Sequence, residues 1–276
     1  MATPAGRAPN VLLLISDQQS FRMMSCAGNR HLRTPAMDSI AERGVRFDRA
    51  YCTNPVCVPS RFSLFTGLYP SAIGQRGNPS RHLDPIPEQI KENGLGWLLR
   101  SGGYETVYGG KVHLPKNLDP EKLGYDVLTA DERDGLAEQC ADYLRSGPSE
   151  PFMLVGSFIN PHDICYMAIR DFAQCDFDHA ILRNGDTELA CLDKALERPE
   201  GVSEQEFFAE FCPPAPPNFD PQEDEPEAVR GLIEERGFRH DARRQWSERR
   251  WREHRWAYCR LTERVDAHIG IKRDAE

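Results

Sequence analysis

Hydrophobic and polar positions fall in blocks along this chain, and the blocks define the expected elements. NVLLLISDQQ, residues 10–19, is a continuous apolar run ending in polar residues, which suits a strand buried on both faces whose carboxyl end opens on a site. In TPAMDSIAERGVRF the apolar Met37, Ile40 and Ala41 recur at helical spacing. Thr34 is the expected N-cap there, Pro35 takes the first helical position and Gly44 is the stop. PEQIKENGLGWLLRSGGYETVYGGKVHL reads as a helix, a Gly-Gly stop and a strand, with Lys111 and His113 just past it. A further helix is expected in ADERDGLAEQCADYLRS, and PFMLVGSFINPHD reads as a buried strand with a polar end. Three strand ends thus deliver Asp17, Lys111 and His162. Alternation of strands and helices predicts an α/β sandwich on a largely parallel sheet, where ligands gather at the carboxyl ends of strands.

Beyond Cys165 the pattern weakens. From there to Cys212 the composition is mixed, and CPPAPPNFDPQEDEPEAV reads as an extended surface segment, because its prolines exclude a regular helix or central strand. At the end of the chain Trp246, Trp251, Tyr258, Leu261, Val265 and Ile269 stand near helical spacing and predict one long helix or two. No internal repeat is visible. The expected organisation is a core with the chemistry over 9–165, a variable Pro/acid-rich segment over 166–228 and a helical end over 229–276.

Composition narrows the function classes. Apolar residues make 39% and charged residues 28%, and the formal net charge is −9, which argues against a general nucleic-acid surface. The arginine-rich RRQWSERRWREHRW is read as a solvated helix face. No segment is long and apolar enough to predict a membrane span. The start, MATPAGRAPN, has no apolar h-region, so a cytoplasmic setting is expected, or a periplasmic or secreted one if a leader is missing. Nine cysteines, an odd number without a C-x-x-C pair, do not form a disulfide framework or a zinc site.

One cysteine has a distinctive context. A lone cysteine is usually core packing, but C-x-P-S-R arises by chance in roughly one chain in a thousand of this length. In CVPSRFSLFTG the cysteine, Cys57, stands at the mouth of a predicted helix, where backbone N–H groups and the macrodipole favour an anion.

Here the sequence resembles the type I sulfatases of the alkaline-phosphatase-like superfamily. The residues responsible are PNVLLLISDQQ, TPAMDSIAERGVRFDRAYCTNPVCVPSRFSLFTGLYP, GYETVYGGKVHL and SFINPHD, in family order. The likeness returns more loosely in PPNFDPQEDEP and YCRLTERVDAHIG. It implies that a separate maturation enzyme oxidises Cys57 to formylglycine, an aldehyde that hydrates to a diol; Pro59 and Arg61 both match the signal C-x-P-x-R. One hydroxyl then attacks sulfur and the other, on losing its proton, expels sulfate. A diol oxygen also suits a hard cation better than a thiol does.

The resemblance further implies a role for each matching residue. Asp17 and Gln18, with the modified Cys57, would ligate one divalent cation, calcium by expectation; many members have a second aspartate where Gln18 stands. Arg61 would hold the formylglycine, Lys111 would stabilise charge on the sulfate and His113 would deprotonate the remaining hydroxyl. His162 would touch the leaving oxygen, and Asn78 would lie near the substrate or form a turn. Family members continue past RLTERVDAHIG to further metal ligands and a second lysine that have no counterpart here. An incomplete fold and cation site are therefore expected, and the polypeptide alone is expected to be at best weakly active. The implied reaction is hydrolysis of a sulfate ester, a sulfated glycan by preference, or of a sulfamate. Phosphonate monoester or phosphodiester hydrolysis stays open as an alternative; a truncated product or piece of a longer protein, an inactive remnant and a partner chain supplying the missing ligands all stay open, as does the oligomeric state.

Overall fold

The computed structural model describes residues 8–78, 82–149, 151–220, 222 and 224–273. Its strands are β1 (Val11–Asp17), β2 (Glu105–Gly110), β3 (Asp126–Thr129) and β4 (Phe152–Pro161). The helices begin with α1 (Pro35–Arg43), α2 (Cys57–Thr66), α3 (Glu88–Glu92), α4 (Leu95–Ser101) and α5 (Asp134–Arg145). They continue with α6 (Cys165–Phe172), α7 (Asp176–Arg183), α8 (Asp186–Leu196) and α9 (Glu204–Glu206). The last are α10 (Glu227–Glu234), α11 (Gly237–Gln245) and α12 (Glu248–Arg273). Internal contacts divide the chain into two units: residues up to Asp17 with Arg43–Ile159 and the segment from His268, and Gln18–Glu42 with Asn160–Ala267.

The first unit is the α/β layer that the alternation predicts. Its sheet has the order β1-β4-β2-β3, and β2 runs parallel to both β4 and β3. β4 is buried along its whole length, as suits a largely apolar strand with neighbours on both edges. β1 departs from expectation. Val11–Ser16 are only half-buried, because β1 ends the strand order and has β4 as its single neighbour among the described residues. β3, four residues long, is too short to show a period in the sequence. Between sheet and helices the rings of Phe65, Tyr108 and Tyr125 meet edge to face with centroids 5.6–5.9 Å apart, a favoured quadrupolar arrangement. The single helix expected after Pro87 is broken into α3 and α4 at Asn93 and Gly94. A Cβ at neighbouring Gly96 would lie 2.4 Å from the Leu123 carbonyl oxygen, so backbone approaches α4 closely there.

The second unit is helical. Its main core packs Ile164, Met167, Leu192, Trp246, Ala257 and Leu261. The segment over 165–212 that lacks clear periodicity in the sequence folds into α6, α7, α8 and α9, each 11 residues or shorter. Such helices draw their stability from tertiary packing. The extended reading of residues 212–229 holds for the described residues up to Pro226, with 221 and 223 outside the described residues; Glu227–Val229 instead form the first turn of α10, after the last proline of the run. The tryptophan-rich end is two helices, α11 and α12. Its arginines are engaged within the unit: Arg250 pairs with Asp171 at 2.9 Å, and Arg260 lies 4.1 Å over the Trp256 ring.

Thr34 does not cap α1 as the sequence predicts. Its hydroxyl instead accepts from Ser25 N and donates to Asp38. The first amides of the helix, Ala36 N and Met37 N, donate to the buried carboxylate of Asp266 at 3.1 and 2.8 Å. A carboxylate there satisfies orphan donors and faces the positive end of the dipole. Asp266→Ala is therefore expected to destabilise the protein by about 1–2 kcal/mol, read as a lower thermal midpoint; an unchanged midpoint would remove Asp266 as the cap.

Candidate active site

The site in the first unit is assembled on the start of α2. Val56 is extended and Cys57 opens the helix. Pro59 falls in the first turn, where its missing N–H leaves no partner unsatisfied. Asn78 Oδ1 accepts from Val58 N at 3.0 Å, so Asn78 is a remote cap for this helix. Gly67, at φ 70, closes it through a bond to Ser63 O. Val58, Phe62 and Phe65 anchor the buried face, which fixes where Cys57 and Arg61 stand.

Asp17, the last residue of β1, is 6% exposed. Cys57 Sγ donates to its Oδ1 at 3.3 Å. Its Oδ2 meets the Arg61 guanidinium at 2.9 Å and Lys111 Nζ at 3.2 Å. The other arm of Arg61 donates to Ser157 Oγ at 2.8 Å, Lys111 O at 2.9 Å and Tyr108 Oη at 3.4 Å. Arg61 itself is 4% exposed. Tyr108 and Ser157 lie inside the segments GYETVYGGKVHL and SFINPHD, but the resemblance assigns a site role to Arg61 and none to them.

Lys111 owes its position to the residue before it. Gly110 has φ 93, and a Cβ there would stand 2.1 Å from Ser157 O; that same oxygen accepts Lys111 N at 2.8 Å. Only glycine allows this approach. His113 has φ 40, a strained region for a residue with a side chain.

Charge decides the protonation states. Burial, and next to it the Asp17 carboxylate, push the Cys57 thiol above its ordinary value of 9.0, against the pull of Lys111 and Arg61. Residue 57 thus stays a neutral thiol at pH 7, a poor nucleophile. His113 keeps an exposed edge, yet the atoms packed around its ring and then the Lys111 cation lower its pKa, which keeps the imidazole neutral.

The cluster holds two cations against one carboxylate, an excess of one positive charge in a largely buried setting. That arrangement suits an oxyanion. It does not by itself fit a calcium ion, which takes about six to eight oxygens. The single carboxylate is already engaged at both oxygens, and no step below runs through a metal. Gln18 and His162 belong to the second unit. Gln18, at φ 63, accepts the Tyr258 hydroxyl on its carbonyl. His162 opens a 3-10 turn directly after β4, with Nδ1 3.8 Å from Cys165 Sγ.

A sheet with parallel strands, carrying an excess of positive charge at the ends of β1 and β2, defines the class: an α/β protein with a buried cationic cluster. The family follows from comparison. A family model described as Sulfatase matches residues 9–270, and this chain belongs to that family. It is similar to the Delta 4,5-hexuronate-2-O-sulfatase of Bacteroides thetaiotaomicron, 33% identical over 181 residues, which are 59% of this chain and 36% of that one. A crystal structure of a B. thetaiotaomicron protein assigned as a sulfatase matches with TM-score 0.71 and 25% identity, over 97% of this chain and 54% of the other. The phosphonate monoester hydrolase of Agrobacterium radiobacter shares the fold, with TM-score 0.61 and 17% identity over 97% of this chain and 59% of that one. The chain spans about half or less of the first two of these relatives.

Two outcomes test the site. Gly110→Ala is expected to cost at least about 2 kcal/mol, since positive φ and the Ser157 contact both oppose a methyl group; an unaltered urea midpoint would contradict it. In unoxidised protein, alkylation of Cys57 followed by peptide mass mapping is expected to have a pH midpoint above 9.0, with exposed Cys52 as reference. A midpoint below that value would show a thiolate where none is expected.

Proposed function

We propose that this chain carries the reactive residues of a sulfate ester hydrolase in which Cys57 is oxidised to formylglycine by a separate maturation enzyme. The observation that carries the reading is the Cys57 thiol, kept neutral on the first residue of α2, beside a carboxylate flanked by Arg61 and Lys111. A thiol with a raised pKa is ill-suited to attack by itself, whereas the same place suits a neutral diol that needs a hydrogen-bond acceptor. Once oxidised and hydrated, residue 57 supplies one hydroxyl to take up the sulfuryl group and a second to expel it.

The chain's own side chains do the rest. Lys111 meets a sulfate oxygen, and Arg61, fixed by Ser157 and the Lys111 carbonyl, neutralises charge at residue 57. His113 accepts the proton of the second hydroxyl, and its lowered pKa keeps it ready to do so at neutral pH. The leaving-group proton is assigned to His162 from its match to the family. Asn78 acts through α2, which it caps. A sulfated glycan is the favoured substrate class, because a relative of this chain is named for a sulfated hexuronate.

The first test needs no turnover: mass analysis of the residue 57 peptide, from cells with the maturation enzyme, is expected to show the aldehyde. Aryl sulfate hydrolysis by that protein is expected to vanish in Cys57→Ala and to fall about 10²–10⁴-fold in His113→Ala. A depressed His113 pKa places the acid limb of kcat/KM below the ordinary imidazole value of 6.5, with activity retained above it. An unmodified thiol in the native host, or turnover of an aryl phosphonate alone, would overturn the reading.

A further inference from the structure

The turn that follows β1 is held from the far end of the chain. Gln18, the residue after Asp17, has φ 63, a left-handed conformation that a side chain disfavours. Such strain persists only where the surroundings enforce it. Tyr258 on α12 is placed to do so. Its hydroxyl donates to Gln18 O and accepts from Ser20 N at 2.8 Å, which bridges the two residues that flank Gln19. All of these groups belong to the second unit.

The hydroxyl has little freedom of its own. The Tyr258 ring packs against the cluster of Met23, Leu32 and Cys259 and against the core that holds Trp246 and Leu261. Burial raises its pKa to about 12, so it keeps the proton that Gln18 O accepts. A phenolic hydroxyl both donates and accepts, and here it satisfies a carbonyl and an amide of one turn. The later part of that turn has bonds of its own: Met23 N donates to Ser20 O at 2.8 Å and Gln19 Nε2 to Met23 O at 2.8 Å. Tyr258 therefore holds the part next to Asp17.

We infer that Tyr258 is a positioning residue: by pinning the kink at Gln18 it sets how the Asp17 carboxylate leaves β1, and its bearing on the reaction rests on the sulfate ester reading above. Asp17 is joined to Gln18 by a peptide bond, and its carboxylate accepts from residue 57, Arg61 and Lys111. Without the hydroxyl, the strain at Gln18 has lost the bond that offsets it. The backbone then relaxes toward negative φ and turns the end of β1. Glycine at position 18 has no such strain, so it removes the need for the hydroxyl.

The test uses Tyr258→Phe, which keeps the ring and removes the hydroxyl, Gln18→Gly, and the double variant. In unoxidised protein the carbon-13 resonance of the Asp17 carboxyl, read by NMR at pH 7, is expected to move in Tyr258→Phe. Adding Tyr258→Phe to Gln18→Gly is expected to leave it in place. Exchange of the Ser20 amide is expected to speed up about tenfold in Tyr258→Phe, as the loss of one hydrogen bond allows. With the residue 57 aldehyde present, Tyr258→Phe is expected to lower kcat for an aryl sulfate about tenfold and to keep KM within about twofold, since Asp17 meets residue 57 rather than the substrate. A faster Ser20 amide with an unmoved Asp17 carboxyl makes Tyr258 a structural tie alone and overturns the inference. An Asp17 shift of equal size in the Gln18→Gly background overturns it as well. Aryl sulfate turnover unchanged in Tyr258→Phe overturns it and leaves the sulfate ester reading standing. The expected Asp17 shifts, in a protein that carries the aldehyde yet turns over an aryl phosphonate and no sulfate ester, support the hold of Tyr258 on Asp17 and remove that reading.

Discussion

The buried carboxylate of Asp17 is the constraint on which the rest of the site depends. At the end of an apolar strand it would be untenable alone, since removing an ion from water costs several kcal/mol even after relaxation. Arg61 and Lys111 both close on its Oδ2, and at about 3 Å each attraction is worth about 5 kcal/mol in a medium of effective dielectric about 20. These attractions must also offset the burial of the two cations, and neutral acceptors complete that task for Arg61. Ser157, Tyr108 and the Lys111 carbonyl take up its second arm. The arrangement leaves one positive charge over, which suits an oxyanion.

That same electrostatic balance explains the thiol. Cys57 stands at a helix start, a place that ordinarily favours the thiolate, yet the net effect of burial and the adjacent Asp17 carboxylate raises its pKa. A helix dipole and two cations do not overcome desolvation beside a negative charge. Cys57 therefore has the geometry of a reactive residue and the protonation of an inert one, which fits a precursor awaiting oxidation. Gly110 and His113, both at positive φ on either side of Lys111, show where the backbone bends to bring strand-end chemistry to this point.

Legibility followed sequence distance. Motif residues within a few positions of a strand end or helix start, Asp17, Cys57, Arg61 and Lys111, were readable from C-x-P-S-R and from apolar runs with polar ends, and the structure bonds them together. Tyr108 and Ser157 were not, because alternation along a strand marks burial but does not tell which hydroxyl meets a guanidinium. Asn78 was read as close to substrate or as a turn former; that it caps α2 from 20 residues away was not readable. Thr34 was the local choice as cap for α1, and lost that role to Asp266, 230 residues distant from Ala36 in the chain. β1 looked doubly buried from its five apolar residues, but its place in the strand order leaves it half-buried.

By itself the sequence determined the fold class, the family, the helix that begins at Cys57 and the identity of the charged groups near it, because each depends on local periodicity or on residues spaced within one motif. Tertiary structure alone decided which groups share a proton or a charge: that Asp17 bonds the thiol, that two cations meet one oxygen, and that a glycine lets Lys111 approach Ser157. Hydrogen bonds and Coulomb forces act across a few ångströms of space regardless of sequence separation. Only folding sets those distances.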